Sequence, residues 1–413
     1  MTKTKTFNQF SRRQVLAGVA AGGAVAAAGT LGMPHIARAA DPVKIGVVHP
    51  VTGFLQFSGT QCRFGAVAAI DEVNAAGGLK ALGGAKIEAV LGDAQSKAEI
   101  GAAEVEKFNE AGVSAVVGAY ASGICLATTQ TAAKYGIPHV VDVGVSDQIV
   151  SRGLENTFRF GPGFGTITKE GVDHLIAINK EAGSPVKSVV IVHENTTPFG
   201  SGMAGLLEKN LTPAGFEVKE ILPHPTGNKD FNNIALKIKE LNPDLVIPSH
   251  YYGDGVLFLR TLQRQRVQPK AIYSVLGGAS SQYRLVNEFP DAAEYVMDCN
   301  HWFDPRKDAA LALRKKTEAA GLSYSYEVFL AYEAVMFAVD AIERAGSADR
   351  AKIIEAMASS TWDGHFMPYG PTKMVNGQNE GAQAMVMQVL GKEIEVVAPK
   401  EFATKAPVFP RPA

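Results

Sequence analysis

Lys44-Ile45-Gly46-Val47-Val48-His49-Pro50-Val51-Thr52-Gly53, followed at residues 62–79 by CRFGAVAAIDEVNAAGGL, decides the fold. The apolar run at 44–48 reads as a strand buried on both faces, and Thr52-Gly53 opens a loop. Phe64, Val67, Ala68 and Val73 then recur at helical spacing, and Gly77-Gly78 stops the helix. A second buried strand follows at 87–91. Strand, loop, helix and strand in that order make a parallel βαβ unit with a right-handed crossover.

The rhythm continues outward from this unit. A helix at 97–110, a strand at 115–117, a helix at 126–134 and a strand at 139–141 complete a first series. It then starts afresh, with helices at 167–181, 202–211, 231–240 and 255–265 alternating with strands at 188–192, 216–221, 245–247 and 271–274. Two successive series predict an α/β protein with two doubly wound lobes of similar architecture. The chain crosses between them near Phe158-Arg159-Phe160-Gly161-Pro162-Gly163. Helices at 327–345 and 349–358 should return to the first lobe, and 372–397 reads as strands with a turn at Asn376-Gly377. The expected division is 41–160 with 300–370 in lobe 1, and 161–299 with 371–413 in lobe 2.

Residues 1–40 differ in kind. Lys3 and Lys5 precede Ser11-Arg12-Arg13-Gln14, an Ala/Gly-rich apolar run extends to Met33, and Ala37-Arg38-Ala39 offers a small-residue cleavage site. This is the pattern of a secretory signal, with Arg12 and Arg13 placed as in twin-arginine export. The expectation is a cleaved signal and a soluble protein in the periplasm. A membrane anchor is disfavoured, because the glycine-rich run falls short of a spanning helix. With 40 basic and 41 acidic residues in 413, the chain has no electrostatic footprint for nucleic acid. Cys62, Cys125 and Cys299 lie far apart and read as small buried hydrophobes rather than a disulfide framework.

Familiar patterns of catalysis are missing from the sequence. No Gly-x-Ser-x-Gly elbow and no Walker A sequence occurs. His193-Glu194 begins like a zinc-protease helix, but Thr197 stands where the second histidine belongs. Gly161-Pro162-Gly163-Phe164-Gly165 is glycine-rich, yet its proline removes an amide that a phosphate cradle would use. No catalytic residue, metal site or cofactor is expected.

In open α/β sheets ligands bind beyond the carboxyl ends of strands. Those loops, with KIGVVHPVTG, AIDEVNAAGGL, SAVVGAYASG, YGIPHVV, NTFRF, VVIVHENTTPFGSG, DFNNIALKIKELNPDLVI and LRTLQ in order, resemble the leucine-binding family of type I periplasmic binding proteins. The resemblance covers nearly all of the chain after residue 40. It implies two lobes joined by three crossovers with a ligand cleft between them. It further implies a branched-chain amino acid ABC importer with a membrane permease and cytoplasmic ATPases, and no chemistry on the ligand. Ser122 falls at the family's carboxylate-binding serine, and Phe199 and Tyr251 at its covering aromatics. Val143 and Val145 follow a first-lobe strand, and Phe54 and Trp302 sit on loops expected to face the cleft.

Two positions depart from the family. Amino-acid binders hold the α-ammonium with a glutamate and a hydroxyl residue, and Leu276 and Val145 stand there instead. Either Asp142, Ser146 or Asp254 serves, or the ligand is a related carboxylate or amide without an ammonium; the second reading is preferred. A sensing receptor for a membrane regulator and an exported α/β hydrolase are the competing functions.

Overall fold

The computed structural model describes residues 41–412. Arg12, Arg13, Ala37 and Ala39 therefore lie outside the described residues. Val43–His49 forms β1, whose side chains are buried on both faces, as a strand between two helical layers requires. Helix α1 (Gln56–Ala75), β2 (Ile87–Asp93), α2 (Ala98–Glu110), β3 (Ala115–Gly118), α3 (Ser122–Lys134), β4 (His139–Val141) and β5 (Thr157–Arg159) complete the first series. The second series runs α4 (Phe164–Glu181), β6 (Ser188–Glu194), α5 (Pro198–Leu211), β7 (Glu217–His224), α6 (Asn232–Leu241), β8 (Leu245–Ser249), α7 (Tyr252–Arg264) and β9 (Ala271–Val275). Two short helices, α8 (Tyr283–Glu288) and α9 (Pro290–Ala293), then lead to β10 (Met297–Asn300).

The chain returns to the first lobe through α10 (Asp308–Ala319), α11 (Tyr326–Ala345) and α12 (Arg350–Ala358). Gly65 on α1 meets the Val328 carbonyl so closely that any side chain would collide with it, which seats α11 flat against α1. The short strands β11 (Met374–Val375) and β12 (Gln378–Asn379) precede β13 (Met385–Leu390) and β14 (Glu393–Ala398). One sheet has the order β11-β12-β5-β4-β3-β1-β2, the other β14-β13-β10-β9-β8-β6-β7. The strand order reverses beside β1 and beside β6, and the ends of the neighbouring strands face the cleft.

The chain crosses between the sheets after β5, after β10 and between β12 and β13. The expected division placed residues after 370 in the second lobe, whereas β11 and β12 pair into the first sheet. The hairpin at 374–379 completes the edge of the first sheet: the Arg159 amide donates to Gly377 O (2.7 Å) and Asn379 Nδ2 to Phe160 O (3.0 Å). An open edge of buried β5 needs those partners. Helices α1, α3, α5 and α7 also start earlier than their apolar periodicity suggests. Their first turns are made of polar, small and aromatic residues facing the cleft, so no core pattern marks them. Cys62, Cys125 and Cys299 are all free and buried. Among the described residues no helix is long and apolar enough to cross a membrane.

Candidate functional site

The cleft between the lobes holds a small cavity. From the first lobe it is lined by Tyr120, Ala121 and Ser122 at the start of α3, Val143 and Val145 after β4, and Tyr326 at the start of α11. From the second lobe come Phe199 at the start of α5, His250 and Tyr251 after β8, Leu276 after β9, and Asn300 and His301 at the end of β10. Ser122, Val143, Val145, Phe199, Tyr251 and Leu276 are thus brought together from loops far apart in sequence.

The donors sit on the first-lobe wall. Ser122 Oγ accepts a hydrogen bond from the Ser146 amide at 3.1 Å, which leaves its own proton free to be donated. The first bond of α3 runs from Cys125 N to Ala121 O, so the amides of Ser122, Gly123 and Ile124 have no partner within the helix. A hydroxyl and a helix N-terminus together favour a negative group.

The aromatic cover bridges the lobes. Tyr251 stands 5.3 Å from Phe199 and 6.2 Å from Tyr120, centroid to centroid. Its hydroxyl reaches Thr197 Oγ1 at 3.4 Å, and that threonine in turn donates to Glu194 Oε2 at 2.6 Å. The carboxylate of Glu194 is spent on its own loop: Oε1 accepts from the Thr197 amide (2.7 Å) and from Thr226 Oγ1 (2.8 Å).

Every carboxylate near the cavity is committed elsewhere or lies outside the lining. Asp142 Oδ2 pairs with His49 Nε2 at 2.7 Å, and Oδ1 accepts the Tyr120 (3.0 Å) and Val143 (2.7 Å) amides. Burial pushes this carboxyl up, but His49 and the two amides outweigh it and hold it below the ordinary range. Asp254 does not line the cavity; burial pushes it up to about 6, and Oδ2 accepts the Gly227 amide at 3.0 Å. Ser146 is buried outside the lining as well. Asp298 secures the wall from behind, accepting from the Gly277 amide (3.0 Å), Ser281 Oγ (2.7 Å) and Asn300 Nδ2 (3.0 Å). Burial drives His301 down to about 3, so that it stands neutral in the wall.

His49, Asp142 and Cys62 bring potential ligand atoms within 4.8 Å of one another, all buried. Burial and the Asp142 charge push the Cys62 thiol well up, and Asp142 is saturated by hydrogen bonds. The group reads as a buried hydrogen-bonded pair that anchors the loop after β4 rather than as a metal centre.

Two expected residues do not line the cavity. Trp302 is 1% exposed and packs 5.1 Å from Phe303 and 6.0 Å from Phe329 in an aromatic cluster behind the cavity. Its neighbour His301 faces the ligand space in its place, because adjacent residues of an extended segment point apart. Phe54 is 42% exposed at the cleft mouth, where its ring lies against Gly227 and Gly253 of the other lobe. Beside it Phe57 stacks on Tyr252 across the lobes, with ring centroids 4.1 Å apart, and the Arg284 guanidinium lies 4.9 Å from the Phe57 ring. Tyr120, Ala121, His250, Asn300, His301 and Tyr326 were not foreseen. Tyr120 and His250 could have been found from their positions, two before Ser122 and one before Tyr251.

A family model described as Periplasmic binding protein matches residues 42–393. Leu/Ile/Val-binding protein homolog 8 of Brucella melitensis biotype 1 is 30% identical over 375 residues, covering 87% of this chain and 91% of the relative. The crystal structure of a leucine binding protein from Thermotoga maritima MSB8 has a TM-score of 0.74 at 23% identity, covering 86% of this chain and 98% of that one. An ABC transporter solute binding protein from R. palustris, in complex with benzoate, has a TM-score of 0.74 at 18% identity, covering 86% and 95%. Two α/β lobes about a ligand cleft define the type I periplasmic binding fold. The chain belongs to the periplasmic binding protein family, in its Leu/Ile/Val-binding branch. It is a periplasmic substrate-binding component of an ABC importer of the branched-chain amino acid type, a binding protein and not an enzyme. Membership implies a membrane permease and ATPases as partners.

Proposed function

We propose that this receptor captures a small carboxylate or amide that lacks an α-ammonium and delivers it to its permease. The carrying observation is the cavity lining: Leu276 and Val145 face the ligand space, and among the described residues no carboxylate does. An ammonium closed into that space without acceptors costs several kcal/mol, roughly 4–8 on a water-to-hydrocarbon scale. Each buried methylene returns only about 0.8 kcal/mol. A carboxylate meets the reverse situation, with Ser122 and the α3 amides as donors. Tyr120, Tyr251 and Phe199 suit a flat ring, and benzoate in the R. palustris protein is a ligand of this kind on the same fold.

Calorimetry at one pH on matched pairs tests the proposal: leucine beside 4-methylpentanoate, valine beside 3-methylbutanoate, and benzoate. The expected result is that the deaminated acids bind and the amino acids do not. Micromolar binding of leucine would overturn it and turn attention to Asp254 and Ser146. Export by the twin-arginine route through Arg12 and Arg13, with cleavage beside Ala39 or Ala40, belongs to the same proposal. So does the grouping of Ser122, Val143, Val145, Phe199, Tyr251 and Leu276 as the ligand-binding set.

A further inference from the structure

His250 lines the cavity from the second lobe, and its protonation pattern follows from a chain of contacts leading away from it. His224 Nδ1 is 2.9 Å from the Pro225 carbonyl oxygen, an atom that only accepts, so the proton of the neutral ring sits on Nδ1. His224 Nε2 is then a bare acceptor. It lies 2.8 Å from His250 Nδ1, which must supply the hydrogen of that bond. His250 in turn keeps no proton for Nε2, and that atom has no hydrogen-bond partner among the described residues although it is buried. Burial, then the neighbouring His224 and His193, holds His250 well below its ordinary pKa and keeps the ring neutral. Phe231 and Phe258 pack on the ring at 5.9 and 4.9 Å and fix its plane. A buried lone pair on a residue that lines the ligand cavity asks for a donor, and no protein group among the described residues provides one.

Resting on the carboxylate reading above, we propose that His250 Nε2 is held as an obligate acceptor. It reads an O–H or N–H donor on the part of the ligand remote from its carboxylate, with His224 as the positioning residue. The ligand class narrows accordingly to carboxylates carrying a second, donating group such as a hydroxyl. A group that can only accept, such as a methoxy oxygen, would face the lone pair of Nε2 and be rejected.

Long-range ¹H–¹⁵N spectra of the full mature chain test the tautomer without any ligand. His250, assigned by the signal lost in His250→Phe, is expected at pH 7 as a neutral ring protonated on Nδ1. An Nε2–H tautomer or an imidazolium there overturns the proposal. In His224→Phe the acceptor is gone, and the Nε2–H form should become populated. Binding supplies the second arm, with benzoate, 3- and 4-hydroxybenzoate and their methoxy counterparts as probes. One hydroxy acid should bind about tenfold or more tighter than both its methoxy partner and benzoate. That preference should vanish in His224→Phe, a position outside the cavity lining, while benzoate binding persists. Equal binding of hydroxy and methoxy acids to the wild type overturns the acceptor role. Failure of every carboxylate to bind overturns the ligand class, whereas the spectra report on His250 regardless.

Discussion

Ser122 Oγ accepts the backbone N–H of Ser146 at 3.1 Å, so one side chain both orders the loop after β4 and keeps its own proton for the cavity. Ser122→Ala removes both functions. Carboxylate affinity should fall by about 1–3 kcal/mol, the range for a buried group left without its partner. Thermal stability of the ligand-free protein should fall by less, because only the Ser146 amide is orphaned. Calorimetry beside a melting curve separates the two effects, and unchanged affinity would remove Ser122 from the site.

Leu276→Glu places a carboxylate in a cavity that has none. Deaminated acids should lose at least tenfold in affinity through like-charge repulsion in a poorly solvated space. Recovery of leucine binding should require Val145→Thr as well, since one acceptor leaves the ammonium under-satisfied. The double variant titrated with leucine and 4-methylpentanoate gives the answer.

Phe57→Ala should weaken every ligand by a similar factor. The Phe57–Tyr252 stack lies outside the cavity lining and joins one lobe to the other, with Arg284 capping it. Losing an aromatic pair of this kind costs about 1 kcal/mol, or roughly fivefold in Kd. The change should appear in the dissociation rate, and the rank order of ligands should not move. A reordered panel would place Phe57 in contact with ligand.

Glu333 sets a pH dependence of stability. Its Oε1 accepts the Phe366 amide at 2.9 Å, and burial raises the carboxyl to about 8 against the pull of that amide and Lys307. A raised folded-state pKa means that the native protein holds the proton more tightly than the unfolded chain. Its stabilising effect is complete below about 4.5, the ordinary carboxyl value, and is lost as pH rises through about 8. Glu333→Gln should flatten the stability profile above pH 6 and gain on the order of 1–3 kcal/mol at pH 8.5. Denaturant melts at pH 5, 7 and 8.5 would show it; parallel wild-type and variant profiles would contradict it.

Arg12→Lys with Arg13→Lys should leave full-length precursor in the cytoplasm, as expected if these residues address the chain to the twin-arginine route. Cell fractionation with N-terminal sequencing of the secreted form provides the check. Normal export of the double variant would rule the route out.

Much of this architecture was legible in the residues because parallel strands buried on both faces leave near-continuous apolar runs such as Val189-Val190-Ile191-Val192. What escaped were the parts held by backbone contacts rather than by periodicity. The hairpin at 374–379 belongs to the first sheet because Gly377 and Asn379 meet β5, and no hydrophobic pattern reports such a partner. The same reason hid the first turns of the cleft-facing helices. In the site, residues carried over singly from family motifs converged on one cavity. Trp302 was misplaced because its loop was correctly sited but its side-chain direction was not legible. His250 was overlooked although it adjoins Tyr251, since its significance depends on His224, 26 positions earlier.

The three cysteines of this chain are all unpaired and enclosed, Cys62, Cys125 and Cys299 each being fully shielded from solvent. The folded receptor therefore offers no thiol to reagents in solution, and a cysteine placed at a half-exposed position becomes its single labelling handle. Thr60, exposed on α1 near the Phe57–Tyr252 stack, suits an environment-sensitive dye. Such a conjugate would convert lobe closure into an optical signal without first stripping the native cysteines, and would allow whole compound libraries to be screened for the cargo.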